Sequence, residues 1–318
     1  MHTHNTDRDA LRKSLLHKVV DHVPGRTLHV PDKACWGELI EPAPGETPAK
    51  TPQGVKVVAI CSWTLGFLAF ETLKLMERRL PEKVNITGLV TDDPVDRHAR
   101  ISKKKRFWRY YSKTEQAEYE RGILEAALTF GVPCYTGEVK CDYFRGLLAR
   151  WNPDVIIVAA FGQRIDRPII DYPCFGIYNV HPADLLHHHG AGPQPWEELL
   201  ERQAQTTRVA IHQVSEEIDT GSVVGESPPI NVRMRDGTLS DDVRMIGEKT
   251  LVPVDHMVAW LMVDILGLKA TGNTGPINYI DFERLFPDSL KKKLMEPIDP
   301  SQRGHILPLP SEDIMFTV

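Results

Sequence analysis

Three things are scarce in this sequence, and each scarcity excludes something. No apolar run approaches the roughly 18 to 20 residues needed to span a bilayer, and the opening "MHTHNTDRDALRKSLLHKVV" lacks the basic start and apolar core of a secretory signal. A cytoplasmic protein with no membrane partner is expected. Positive charge is not in excess: 38 Lys and Arg against 43 Asp and Glu leave a formal net charge of −5. Nucleic-acid-binding surfaces concentrate positive charge, so no nucleic-acid partner is expected. Cysteine is sparse and unpaired in spacing, with Cys35, Cys61, Cys134, Cys141 and Cys174 making an odd total. Neither a disulfide framework nor a zinc site follows, and reduced, mostly buried thiols are expected. No heptad pattern announces a partner helix, so the oligomeric state stays open, a homodimer included.

What is present is an ordinary globular composition, 318 residues with 42% hydrophobic and 25% charged, enough to bury a sizeable core. Residues 1–54 carry a short charged helical pattern and then "EPAPGETPAKTPQG", whose prolines, glycines and polar residues predict an N-terminal extension ending in a linker. From Val55 the pattern changes. "VKVVAICSW" is an apolar run of strand length, and "LGFLAFETLKLMERRL" has the three- and four-residue spacing of a helix. "VNITGLVTDD", "VPCYTGEV" and "PDVIIVAAFG" read as further strands, and "EQAEYERGILEAALTFG" and "DYFRGLLARW" as helices. "RVAIHQVSEEIDTGSVVGESPPINV" predicts two strands joined by an acidic turn, and Leu239 to Leu266 one long amphipathic helix. Residues 55–270 thus predict an α/β domain, a Rossmann-like, mainly parallel sheet with helices on both faces. Residues 271–318, rich in proline and charge, predict a partly ordered C-terminal extension.

Ligands of such sheets bind outside the carboxyl ends of the strands. That rule selects the turn after Trp63, the segment "AAFGQRID", and "NVHPADLL" after Ile177. The first turn, "CSWTLGF", has one glycine where a dinucleotide fingerprint has three, and no Walker lysine, so NAD or ATP is not expected there. Asn179 and His181 lie two apart and on a strand share a face. Two readings fit that spacing: a structural histidine beside a turn-forming asparagine, or an amide and imidazole set to stabilise a carbonyl oxygen and move a proton. Downstream, Asp219-Thr220-Gly221 favours a tight reversal. The basic, aromatic stretch "HARISKKKRFWRYYS" from His98 to Ser112 is either a solvated loop or a contact for an anionic group. His187, His188 and His189 are adjacent on one loop and cannot easily face one ion, and no cysteine or carboxylate spacing supports them, so no metal is expected.

Taken together, Asn179-Val180-His181-Pro182, Gly190 nine residues after the histidine, Pro193, Thr207-Arg208-Val209-Ala210-Ile211-His212 and Asp219-Thr220-Gly221 resemble the 10-formyltetrahydrofolate-dependent formyltransferase family, whose members include glycinamide ribonucleotide, methionyl-tRNA and amino-sugar formyltransferases. The resemblance runs from about Val55 to about Leu266. Ala183, Asp184 and Leu186 stand where the family has serine, leucine and proline, which puts the acceptor in doubt more than the reaction. The resemblance implies the formyltransferase fold and an enzyme moving a formyl group from 10-formyltetrahydrofolate to an amine. It further implies Asn179, His181 and Asp219 as catalytic groups, a pterin against Phe161, Gly162, Gln163, Arg164 and Ile165, and no metal. The partners it implies are the folate and a small amine. Lys104, Arg106, Trp108 and His189 are candidate acceptor contacts, and an anionic acceptor such as a nucleotide-linked amino sugar or an amino-acid-type amine suits them. The transfer RNA-specific members carry a C-terminal barrel that residues 271–318 are too short to form. Two rivals stand: a formyltetrahydrofolate hydrolase that releases formate, and an inactive folate-binding or scaffold protein.

Overall fold

Val, Ile and Ala dominate the central apolar runs, the residues that fit a pleated surface covered on both sides. In the computed structural model, which describes residues 27–29, 37–43, 50, 53–92, 110–301 and 304–314, those runs are strands. In chain order the strands are β1 (Thr27–His29), β2 (Gly37–Glu41), β3 (Val55–Cys61), β4 (Val84–Thr91), β5 (Cys134–Gly137), β6 (Val155–Ala159) and β7 (Ile177–His181), followed by β8 (Thr206–Thr207), β9 (Ala210–Gln213), β10 (Val223–Glu226) and β11 (Ile230–Asn231). Nine form one sheet in the order β1-β2-β5-β4-β3-β6-β7-β9-β10, while β8 and β11 pair separately. The stretch from β5 through β7 is parallel, and the strands outside it run antiparallel. This is the expected α/β class.

Alternation along the strands splits the interior into two layers. Val57, Ala59, Cys61, Ile157, Tyr178 and Val180 face one core, shared with α1 (Trp63–Arg79) and α2 (Lys113–Leu128). Val58, Ile60, Ile156, Val158 and Ile177 face the other, covered by Phe144, Leu147, Leu148 and Trp151 of α3 (Asp142–Trp151). The short helices α4 (Arg167–Ile170) and α5 (Pro195–Glu201) follow β6 and β7.

Four expectations change. The single helix over Leu239–Leu266 is two, α6 (Val243–Leu251) and α7 (Val254–Ala270). They meet at Pro253, which has no N–H to continue the ladder. The span Val243–Ala270 is also long and apolar enough to cross a membrane, which counting uninterrupted apolar residues did not reveal. Here it is a core element, with Val254, Met257, Val258, Leu261, Met262 and Ile265 fully buried.

The stretch before Val55 is more than an appendage, because β2 pairs with β5 and buries Leu39 and Ile40. The residues after Gly272 also belong to the main body. Phe282 in α8 (Phe282–Leu285), Phe286, Leu294 in α9 (Asp288–Met295) and Ile298 join the first core. Finally, Cys61 and Cys134 are buried free thiols and Cys174 an exposed one, but Cys141 is disulfide-bonded. An odd total leaves room for one bridge of irregular spacing.

The C-terminal segment docks through backbone. Ile280 N–H donates to the Val224 carbonyl at 2.6 Å. A Cβ at Gly225 would overlap the Ile280 carbonyl and come within 2.6 Å of the Phe282 ring. Gly225→Ala is therefore expected to destabilise the fold by about 1–3 kcal/mol, the usual range for overpacking. A denaturant titration with unchanged slope checks it.

Candidate active site

The carboxyl edge of the parallel strands carries the site. β7 ends in Asn179 and His181, which sit two apart on the same face as Ile177. Across the antiparallel pairing, Asn179 lies directly opposite His212 of β9. That register brings the Asn179 amide nitrogen to 3.0 Å from His212 Nε2. His212 Nδ1–H donates to the Gln213 carbonyl at 2.8 Å, which fixes the ring plane. His212 was absent from the sequence-derived site; the signal for it was the strand pairing of "AIHQ" with "IYNVH".

Asp219 comes from the reversal between β9 and β10, in the left-handed region at φ 55°, which aspartate tolerates better than most residues. Its Oδ1 lies 3.3 Å from the Asn179 amide and 3.3 Å from His212 Nε2. Its Oδ2 accepts the Gly192 N–H at 2.8 Å and lies 3.8 Å from His181 Nδ1. Asn179, His181 and Asp219 are thus brought together, and His212 completes the cluster. Burial alone pushes the Asp219 carboxyl up, but the hydrogen bond with His212, the neighbouring imidazoles and the Gly192 N–H outweigh it, leaving the group well below the usual carboxylate range.

His181 has its tautomer set by its surroundings. Nε2 lies 2.8 Å from the Gly190 carbonyl, an acceptor only, so Nε2 carries the hydrogen and Nδ1 presents its lone pair on the Asp219 side. Burial lowers the His181 pKa, Asp219 and the Gly190 carbonyl oppose that, and His212 adds to the lowering; the net shift is downward. A neutral imidazole beside an ionised carboxylate can take up a proton at Nδ1 and have the resulting cation stabilised.

These groups line a cleft open to solvent, together with Phe161, Gly162, Gln163, Arg164 and Ile165. The loop from 160 is held by its side chains. Gly162 N–H donates to Asp92 at 2.8 Å, and Asp92 is in turn hydrogen-bonded to Ser62. The Gln163 amide bonds the Gly137 carbonyl at 2.7 Å and accepts from Val139 N–H at 3.2 Å, and Arg164 donates to the Glu216 carbonyl at 2.6 Å. The cleft has two walls that belong to the two cores. Phe161, Ile165 and Val214 pack against the second, while Trp63, Leu65 and Trp196 belong to the first. Trp63 and Trp196 meet with ring centroids 5.5 Å apart. All three places chosen by the carboxyl-edge rule therefore meet in one cleft.

The acceptor candidates fare differently. Lys104, Arg106 and Trp108 lie outside the described residues. His189 does not line the cleft: its Nδ1 is 2.8 Å from Glu198 of α5, which turns it away. Carboxylates do accompany one member of the histidine triplet, contrary to the spacing argument. Asp184, His187 and Glu226 each place a potential ligand atom within 4.8 Å of the others. These groups already have partners: Asp184 accepts from His187 Nδ1 at 2.6 Å and Glu226 accepts the Leu186 N–H at 2.8 Å.

Residues 135–254, which hold this cluster and loop 161–165, match the family model described as formyl transferase. The chain is 33% identical over 129 residues to a methionyl-tRNA formyltransferase of Syntrophus aciditrophicus, covering 40% of this chain and 41% of that protein. It is 35% identical over 117 residues to a methionyl-tRNA formyltransferase of Anaplasma marginale, covering 36% and 38%. Among solved structures, glycinamide ribonucleotide transformylase 1 from Symbiobacterium toebii superposes with a TM-score of 0.48 at 16% identity, covering 72% of this chain and 94% of that one. The chain spans about two fifths of the length of those two curated relatives.

Proposed function

We propose that this protein is a 10-formyltetrahydrofolate-dependent N-formyltransferase acting on a small amine. The observation that carries the reading is the convergence of Asn179, His181 and Asp219 in one cleft, inside the segment that matches the formyl transferase model. The cleft fits the folate. It is open to solvent, so a pterin held against its walls can leave its tail outside. Because Gln163 and Arg164 are occupied in bracing the loop, recognition falls to main-chain groups between Phe161 and Ile165, with Phe161, Val214 and Ile218 as the apolar wall.

In this reading the folate supplies a formyl carbon bonded to nitrogen, and the acceptor amine forms a new C–N bond to that carbon. Asn179 turns its amide hydrogen to the formyl oxygen as that oxygen gains negative charge. His181 Nδ1 takes the proton lost by the amine, with Asp219 steadying the cation, and returns it to the departing folate nitrogen as the old C–N bond breaks. The products are the N-formylated amine and tetrahydrofolate, and no metal is needed.

The acceptor class follows from the second wall. Trp63, Leu65, Pro193, Pro195 and Trp196 give the cleft an apolar, aromatic side, and an amine with an apolar or flat flank suits it. An anionic acceptor rests on the stretch from His98. Incubating the purified protein with 10-formyltetrahydrofolate and a panel of amines tests the reading by mass spectrometry. Tryptamine-like amines, phosphorylated amino sugars, amino acids and methionyl-tRNA belong in that panel. A formylated small amine supports it. Formate without any formylated amine identifies a hydrolase, formylation of the charged transfer RNA alone replaces the acceptor, and folate binding with neither product leaves a binding protein.

A further inference from the structure

Glu198 has no part in the chemistry proposed above, yet its carboxylate has three partners beside the site. Its Oε2 accepts the Gly190 N–H at 2.6 Å, and its Oε1 lies 2.8 Å from His189 Nδ1 and 3.2 Å from Arg202 Nε. One carboxylate at the first turn of α5 therefore clamps two successive residues of the loop that leaves β7. The Gly190 N–H, the hydrogen bond with His189 and the Arg202 guanidinium hold its carboxyl below the usual range, against an opposing push from burial, so it is an ionised acceptor at neutral pH.

The loop it clamps ends on the imidazole. The Gly190 carbonyl is the acceptor for His181 Nε2, at 2.8 Å. Gly190 itself is confined: its φ is +72°, and a Cβ there would fall 2.8 Å from the Ala183 side chain and 3.0 Å from the Pro195 carbonyl. The orientation of this carbonyl decides which ring nitrogen of His181 carries the hydrogen, and hence which is free to act as a base. Should the loop move so that this carbonyl turns away, the ring would be free to adopt the other tautomer, with Nδ1–H directed at Asp219 and no lone pair on that side.

We propose that Glu198 is a positioning residue that fixes the His181 tautomer by holding the Gly190 peptide in place. This rests on the reading of His181 as the proton acceptor, but the tautomer itself is observable without turnover. The corresponding spatial chain is short: carboxylate to Gly190 N–H, Gly190 carbonyl to Nε2–H, leaving Nδ1 open on the Asp219 side.

The test uses the full-length protein with Glu198→Ala and Glu198→Gln. Alanine is the best helix former, so its place in α5 is not a threat to the helix; Glu198→Met, closer in shape, serves if the alanine variant does not fold. Histidine ring ¹⁵N correlation spectra should show a single Nε2–H tautomer for His181 in the wild type and a mixture in Glu198→Ala. In turnover, kcat should fall by about tenfold, the equivalent of one weakened hydrogen bond, with the KM for the folate unchanged within about twofold. Glu198→Gln should restore both readouts, since its amide oxygen can still accept from Gly190. A pure Nε2–H tautomer in Glu198→Ala, or a kcat within about twofold of wild type, overturns the assignment. Absence of any turnover in the wild type would count against the proposed reaction, and the spectra would still decide the role of Glu198.

Discussion

His181→Ala is expected to lower kcat for formyl transfer by about 10²–10⁴, the range general acid–base catalysis supplies, while leaving folate binding near its original strength. The reason is local. Nδ1 of this ring is the lone pair that faces the Asp219 carboxylate, and burial keeps the ring neutral and ready to accept a proton. His212 cannot stand in, since its Nδ1 is committed to the Gln213 carbonyl and its Nε2 already sits between the Asn179 amide and Asp219. The alanine variant leaves the Gly190 carbonyl without its donor, so thermal unfolding belongs beside the kinetics to separate lost chemistry from lost structure. Wild-type turnover in folded His181→Ala would remove His181 from the mechanism. Asn179→Ala should also fall, by the 10²–10³ typical of a lost oxyanion donor.

Asp219→Asn should cost on the order of 10² or more in kcat, because a neutral amide cannot stabilise a cationic His181. It should also change how stability responds to acid. The folded state holds the Asp219 carboxyl below its unfolded value. Such a group contributes stability that is fully present above the unfolded pKa of about 4 and is lost as the pH falls toward the folded pKa. His181 acts in the same direction at a higher pH. Its folded pKa is lowered, so the unfolded state binds the proton more readily, and stability declines as the pH drops below the unfolded value of about 6.5. The wild type is therefore expected to lose stability in two stages on acidification, and Asp219→Asn to lose less in the more acidic one, where Glu198 and other lowered carboxyls still contribute. Urea midpoints between pH 3 and 8 for both proteins check this; a variant that follows the wild-type curve below pH 4 would show that Asp219 is not the group responsible.

The sequence made legible those parts of the molecule that rest on local pattern. The parallel strands and their helices are readable because runs such as "VKVVAIC" and "VIIVA" are both continuous and β-branched, and because period-two geometry alone places Asn179 and His181 on one face. What escaped depended on pairing at a distance. His212 joins the cluster only through the β7–β9 register. Glu198 reaches Gly190 only because α5 folds back across the loop. The C-terminal residues were misjudged by composition: prolines and lysines suggested an extension, yet Phe282, Phe286, Leu290, Leu294 and Ile298 recur every fourth residue, and most of them are buried. The break at Pro253 was visible as a proline, but the apolar period on either side outweighed it.

The pairing of β7 with β9 constrains how this segment can diverge. The chain between α5 and β8 is free to gain or lose residues as a loop, because closure entropy changes slowly with length, whereas residues 182–198 carry the Gly190 and Gly192 contacts to the site. The two strands have no such latitude. A slip of one residue would turn His212 to the opposite side of the sheet, among the side chains of the first core, and leave Asn179 facing Ile211 or Gln213. Insertions between these strands are thus expected to be tolerated where they lengthen a loop, and to be silencing where they shift the ladder by an odd step.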